Sequence, residues 1–305
     1  SPARAGRREA RSPIYTTEAG GHLRGVLSLR ELLAAPEGSR ISEHAWTEVV
    51  SVTPDTPQED VSRLTSNYDL VAVPVVDAQK RLLGVVTVDD VIDVIQEEQT
   101  EDAQKFGGME ALEEPYMQVS LWQNVRKRGG WLAILAMSEF FTASVMARYE
   151  HSLNEAVFLS QFIPLVMSSG GNSGSQATSL IIRAMALGEV RLSDWWRIVL
   201  RELPAGLILG LIIGVIAMVR ILAWNMLGLY DYGVHSGSIA MAVGVTLVAV
   251  VTIGSLSGSM LPFVLRRLGF DPASASAPFV ATIVDVSAIS LYFSVAYFFL
   301  AGKLL

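Results

Sequence analysis

A single aspartate, Asp285, interrupts the apolar run PFVATIVDVSAISLYF. A carboxylate inside a segment surrounded by lipid is costly unless water, a partner group or a cation meets it. At helical spacing Pro278, Ala281, Thr282, Asp285 and Ala288 fall on one face. That face is small and mildly polar, so a hydrated ion can approach it. The alternative is a structural hydrogen bond, or a protonated Asp285 at a helix contact. Glu139, in WLAILAMSEFFTASV, is a second intramembrane carboxylate, expected to be structural and within reach of a neighbouring hydroxyl. Arg220, near the end of another apolar run, is placed to snorkel outward.

A different chemistry is offered by SSGGNSGSQATS, set between the apolar runs AVFLSQFIPLVM and LIIRAMALG. Polar, glycine-rich backbone at membrane depth needs protein, water or an ion as partner. The expectation is a broken helix that exposes carbonyls and helix ends at a substrate site, because Asn172, Ser173, Ser175 and Gln176 are more polar than packing requires. The alternative is a close helix crossing built on small residues.

The third group is acidic. Between Asp89 and Glu114 there are ten carboxylates against one lysine, Lys105. Asp90, Asp93, Glu97, Glu101 and Lys105 share a helical face at i, i+3/i+4 spacing, where like charges repel. A solvated face accommodates such a run, but a hard divalent cation such as magnesium would relieve the repulsion while keeping some of its waters.

The elements that must position these groups divide the chain in two. Five stretches, approximately 130–148, 156–187, 203–223, 238–265 and 278–301, are long and apolar enough to cross a bilayer. Arg126, Lys127, Arg128, Arg191, Arg197, Arg201, Arg266 and Arg267 all flank the same side of these spans. By the excess of basic residues on inner loops, the N-terminal part is cytoplasmic and the C-terminus exterior, in a cell (inner) membrane. Segment 188–200, with Trp195 and Trp196 beside arginines, is expected to lie as an amphipathic helix at the inner interface.

Composition agrees with that division. The chain has 305 residues, 51% hydrophobic and 17% charged, with a mean hydropathy of +0.40. Residues 1–129 hold 21 acidic and 14 basic side chains, whereas residues 130–305 hold nine of each. This excludes a disordered chain and a basic nucleic-acid binder. With no cysteine, thiolate metal sites and cysteine nucleophiles are excluded too.

The first half contains a repeat. Gly25–Leu33 recurs as Gly84–Ile92, 59 residues later. Each copy gives a strand, a hydroxyl, then a helix start with an acid three positions on, as in a capping box: Ser28 with Glu31, Thr87 with Asp90. Around the second copy two short strands are joined by a turn at Asp77–Arg81, and TPQEDVSRLTSNYD opens a helix.

This pattern resembles a tandem CBS (Bateman) domain, complete over 41–95 in the second copy and partial over 14–40 in the first. Residues 1–13 are basic and without recognisable order. Residues 163–190, 260–273, 278–292 and 88–102 together look like the MgtE family of magnesium channels and transporters. The resemblance implies a cytoplasmic α/β CBS domain, an acidic connecting ("plug") helix over 96–128, and an α-helical polytopic domain of five spans over 129–305. It further implies a homodimer in membrane lipid that imports Mg2+ and binds no nucleic acid. Cytoplasmic Mg2+ would bridge the acidic faces and close the pore.

By position, Asp285 resembles the pore carboxylate that meets hydrated Mg2+. Ala281 would offer a carbonyl beside it, with Asn172, Ser168 and Thr282 lining the path. Asp90, Asp93, Glu98, Glu101 and Asp102 resemble regulatory metal ligands. Thr87 and Asp90 occupy the positions that meet the ribose of ATP where CBS pairs bind it. Two departures are expected to weaken or shift gating: no acidic N-terminal helical domain precedes residue 14, and the first CBS copy is incomplete. Truncation or omitted residues would account for both.

Competing readings keep the same architecture. A CBS-regulated transporter for another divalent cation is one. A CBS-regulated membrane enzyme is the other, but His22, His44, His151 and His235 form no His-Glu-x-x-His motif and lie outside the spans. A non-enzymatic transporter is the reading that uses Asp285 and the polar segment.

Overall fold

A computed structural model describes residues 13–149 and 157–301. The basic residues 1–12, most of the loop after the first span, and the last four residues lie outside the described part, as does residue 156, where the second span was expected to begin. The chain forms two compact units, residues 1–100 and 101–305.

In the first unit, β1 (Pro13–Thr17) pairs antiparallel with β2 (Leu23–Ser28), which runs into α1 (Leu29–Ala34). After α2 (Gln58–Tyr68), β3 (Ala72–Val76) pairs antiparallel with β4 (Leu82–Thr87), which runs into α3 (Val88–Phe106). The repeat extends to the hairpin register. Thr16 faces Gly25 as Val75 faces Gly84, and both ladders shift register at the next residue. The first copy therefore holds a strand, β1, beyond the single strand and helix expected there. The two hairpins join through the Leu23 amide to the Lys80 carbonyl and the Leu82 amide to the Gly21 carbonyl, each 2.9 Å. Val52, Val61, Val73 and Val91 form the small core beneath the second hairpin.

The capping geometry behaves as the spacing requires. Ser28 Oγ accepts from the Glu31 amide at 3.1 Å, and the Glu31 carboxylate accepts from the Ser28 amide at 2.9 Å. Each satisfies a donor that the helix start leaves open. In the turn between β3 and β4, Asp77 Oδ1 accepts from the amides of Gln79 (2.9 Å) and Arg81 (2.8 Å), while Oδ2 accepts from Arg81 Nε at 2.7 Å. These bonds, led by the Arg81 amide, hold the Asp77 carboxyl below the usual carboxylate range.

The second unit is built on five long helices: α4 (Leu121–Ala147), α5 (Ile163–Ala186), α6 (Trp195–Met226), α7 (Ser236–Arg267) and α8 (Ala277–Leu300). Four of them, all except α5, are long and apolar enough to cross a membrane. α7 sits at the centre, packed against α5, α6 and α8, whereas α4 packs chiefly on α8. Leu247, Ile289, Tyr292 and Phe293 lead the bundle core. Apolar side chains such as Ile208, Ile212 and Ile216 remain exposed along α6, as expected of a lipid-facing surface.

The polar segment SSGGNSGSQATS does not break its helix, because α5 runs unbroken from Ile163 to Ala186. A Cβ added to Gly254 would overlap the Gly170 carbonyl oxygen, and one on Gly258 would overlap that of Gly174 still more deeply. Two glycines four apart on each helix thus let the α5 and α7 backbones touch, the close crossing that small residues permit. No backbone is freed there: the glycines serve contact, and the helix stays continuous through them.

The separate interfacial helix expected over 188–200 is also absent. Gly188, at φ +70°, ends the turn after α5, and one 3-10 turn at Leu192–Asp194 leads straight into α6. Trp195 and Trp196 form the first turn of a 32-residue helix. The first long helix likewise begins earlier than expected, at Leu121, where Ser120 Oγ caps the Gln123 amide.

Candidate functional site

Small residues decide what α5 shows on each side. Its inner face carries Gly170, Gly171, Ser173, Gly174, Ala177 and Thr178, all buried. Ser173 Oγ lies 2.7 Å from Ser255 Oγ and donates to the Val251 carbonyl at 3.1 Å. Thr178 Oγ1 lies within hydrogen-bond distance of the carbonyls of Gly258 (2.7 Å) and Gly174 (2.8 Å). The polar content of the inner face is therefore consumed in helix contacts.

The outer face is different. Ser168, Asn172 and Gln176, four residues apart, are exposed. Asn172 Nδ2 donates to Ser168 Oγ at 3.2 Å, one turn back on the same helix. An amide and hydroxyl stripe with only its own helix as partner is costly against lipid.

α8 presents the carboxylate beside this stripe. Ala281 packs on Gly171, where an added Cβ would lie 3.2 Å away. Asp285 stands one turn beyond Ala281 and is half-buried. The expected face of α8 is thus divided: Ala288 is fully buried, Thr282 nearly so, and Ala281 and Asp285 remain partly open. The Thr282 hydroxyl donates to Glu139 Oε1 on α4 at 3.2 Å. The expected hydroxyl partner of Glu139 is therefore Thr282. Through Thr282, Glu139 meets α8 three residues from Asp285. Ala281, Asp285, Ser168 and Asn172 lie on the adjoining helices α5 and α8.

The acidic residues of α3 are spread along the helix. Thr87 Oγ1 donates to Asp90 Oδ2 at 2.7 Å, and Gln58 Nε2 donates to Glu98 Oε1 at 2.7 Å. Asp93 is exposed, and Asp102 is only partly exposed and engaged in an interaction of its own. Among the described residues no three carboxylates or histidines converge as a ready metal site.

Lys105 closes the helix and supplies what spacing could not show. Its ammonium lies 2.5 Å from Glu101 on the preceding turn and 2.5 Å from Asp271, just before α8. Burial alone would lower its pKa, but the bonds and charges of Asp271 and Glu101 outweigh that and raise it. Phe106 packs beside it against the Ile182, Ala273 and Ala275 cluster. Asp271 went unnoticed in the sequence because nothing in its local pattern marks it as the partner of Lys105.

At the opposite end, the Arg220 guanidinium lies 4.0 Å from the Trp224 ring centre and 5.9 Å from that of Phe162. The expected outward snorkel ends in a cation–π contact.

Comparison with known proteins identifies the frame. Residues 163–295 match the MgtE family model, described as a divalent cation transporter, and residues 41–97 match the CBS domain model. The chain is 41% identical over 286 residues to the magnesium transporter MgtE of Thermus thermophilus, covering 93% of this chain and 61% of that protein. Residues 163–295 are an MgtE-family domain. The MgtE of Enterococcus faecalis is 34% identical over 290 residues, covering 94% of this chain and 61% of that one. The chain thus spans less than two thirds of the relatives it matches.

Among solved structures, the first unit is similar to the cytosolic domain of the Mg2+ channel MgtE in complex with ATP. The two are 50% identical, with 27% of this chain and 33% of that one covered and a TM-score of 0.27. Members of the MgtE family are transporters rather than enzymes. With four helices long and apolar enough to cross a membrane among the described residues, the chain is a multi-pass membrane protein.

Proposed function

We propose that two copies of this chain form a Mg2+-selective path across the cell membrane, with the N-terminal unit cytoplasmic and the C-terminus exterior. The observation that carries the reading is the exposed Ser168–Asn172–Gln176 stripe on α5 together with the half-open Asp285 on the adjoining helix α8. A stripe of that polarity beside a carboxylate needs an aqueous lining, and a second copy placing its own stripe opposite would enclose one. Asp285 and its twin then hold hydrated Mg2+ through its waters, with Ala281, Asn172, Ser168 and Thr282 completing the ring. This avoids stripping an ion that gives up water reluctantly. An inside-negative potential drives entry by about 4.6 kcal/mol per 100 mV for a divalent ion.

Cytoplasmic Mg2+ closes the path by bridging Asp90, Asp93, Glu98, Glu101 and Asp102. Their spread along α3 supports a site completed by movement or by the partner copy, which makes closure depend on concentration. Asp93→Ala or Glu101→Ala then raises the Mg2+ needed for closure, and unchanged closure in both counts against these ligands. ATP is the second regulator on this reading, with its ribose at Thr87 and Asp90.

The deciding experiment is Mg2+ uptake into proteoliposomes containing a Mg2+ dye, for the unaltered protein and Asp285→Ala. Uptake abolished by the substitution supports the reading. Uptake that survives it removes Asp285 from the path. Parallel uptake of Mn2+ and Ca2+ separates a magnesium path from a general divalent one.

A further inference from the structure

The Asp285 site has a neighbour that the pore reading leaves unused. Glu139 lies on α4, the helix least buried in the bundle, yet its carboxylate reaches the Thr282 hydroxyl on α8. Thr282 is three residues from Asp285 and therefore its neighbour on the helix surface. Thr282 is buried, and its hydroxyl has one proton for two acceptors, Glu139 Oε1 at 3.2 Å and the Pro278 carbonyl at 3.0 Å. Glu139 has no other hydrogen bond or ion pair among the described residues. One turn along α4, Thr142 Oγ1 is buried and without a hydrogen-bond partner among the described residues. α4 thus brings Glu139 to a shared hydroxyl on α8 three residues from Asp285, and carries an unused buried hydroxyl one turn away.

We propose that Glu139 is a specificity-determining residue of the Asp285 site, which it couples to α4 through Thr282. The inference rests on the reading of Asp285 as the carboxylate that meets the ion. In the proposed dimer the two copies of Asp285 and Glu139 bring up to four negative charges near one ion, and in a medium that screens poorly a divalent cation offsets twice as much of that charge as a monovalent one. Glu139 therefore favours divalent over monovalent occupancy without touching the ion. The Thr282 hydroxyl fixes its distance from Asp285.

The test compares Mg2+ and Na+ fluxes in proteoliposomes for the unaltered protein, Glu139→Gln, Thr282→Val and Thr282→Ser. Glu139→Gln keeps the size and a hydrogen bond to Thr282 while removing the charge. The ratio of Mg2+ to Na+ flux should fall by about tenfold, the order expected for losing a charge at close range. Thr282→Val should lower the ratio too, and Thr282→Ser should restore it. A merely structural role would lower both fluxes together and leave the ratio unchanged, which overturns the proposal.

A second arm does not depend on transport. Carbodiimide labelling of Asp285, read by mass spectrometry, should be blocked by Mg2+, and Glu139→Gln should raise the protecting concentration about tenfold. Unshifted protection overturns the role of Glu139. Protection that shifts while the unaltered protein moves no Mg2+ keeps the coupling and sinks the transport reading instead.

Discussion

The Lys105 ammonium and the Asp271 carboxylate meet at 2.5 Å, tying the last turn of α3 to the segment that starts α8. The same ammonium holds Glu101, one of the acids proposed to bind regulatory Mg2+. A tethered cation at that point neutralises two carboxylates that would otherwise repel. The three side chains are 28–41% exposed, so solvent screens the pair and its contribution to stability is modest.

Lys105→Met tests this tie. Hydrogen exchange at 101–106 should quicken, because helix-end amides open locally once their anchor is gone. The raised pKa of Lys105 sets the pH dependence. Its contribution is fully present below the ordinary lysine value and is lost as pH rises through the higher folded value. Exchange protection, corrected for intrinsic rate, should therefore show no Lys105-dependent change between about pH 6 and 9.

Gly258 and Gly174 set a sharper limit. A methyl at Gly258 would overlap the Gly174 carbonyl oxygen, and backbone cannot move aside as a side chain can. Gly258→Ala should destabilise the bundle by about 1–3 kcal/mol or more, as overpacking does. Lower thermal stability in detergent checks it, with Gly237→Ala as control, since a methyl there meets nothing within 4 Å.

Asn172 allows a direct test of the dimer. The chain has no cysteine, so Asn172→Cys introduces the sole thiol. If two α5 stripes face one another, mild oxidation in membranes should give a covalent dimer. A Cys in place of the exposed, lipid-facing Ile212 should give much less.

Asp77 offers a pH test in the first unit. Its carboxyl is held below the ordinary range by the Arg81 amide first, then by the Arg81 side chain and the Gln79 amide. A lowered folded value means that the turn is supported above about pH 4 and loses that support as pH falls through the folded value. Amide exchange at Gln79 and Arg81 should rise below about pH 4, and Asp77→Ala should show the rise already at neutral pH.

Much of this architecture is legible in the residues themselves. Apolar length marks α4, α6, α7 and α8, because crossing a bilayer demands it whatever the neighbours are. The repeat at Gly25 and Gly84 marks two strand–helix units, since capping spacing is local. Asp285 stands out because a carboxylate among apolar residues needs a reason.

Other features belong to the tertiary structure alone. The sequence has glycines four apart at 170 and 174, at 206, 210 and 214, and at 254 and 258. No local rule says which pair meets which, so whether SSGGNSGSQATS is a break or a crossing depends on α7 lying against it. The same packing splits α5 into a buried face and an exposed stripe. Glu139 finds Thr282 across 143 residues, and Lys105 finds Asp271 across 166. Periodicity fixes which side of a helix a residue occupies. Only the crossing of two helices decides what stands opposite it.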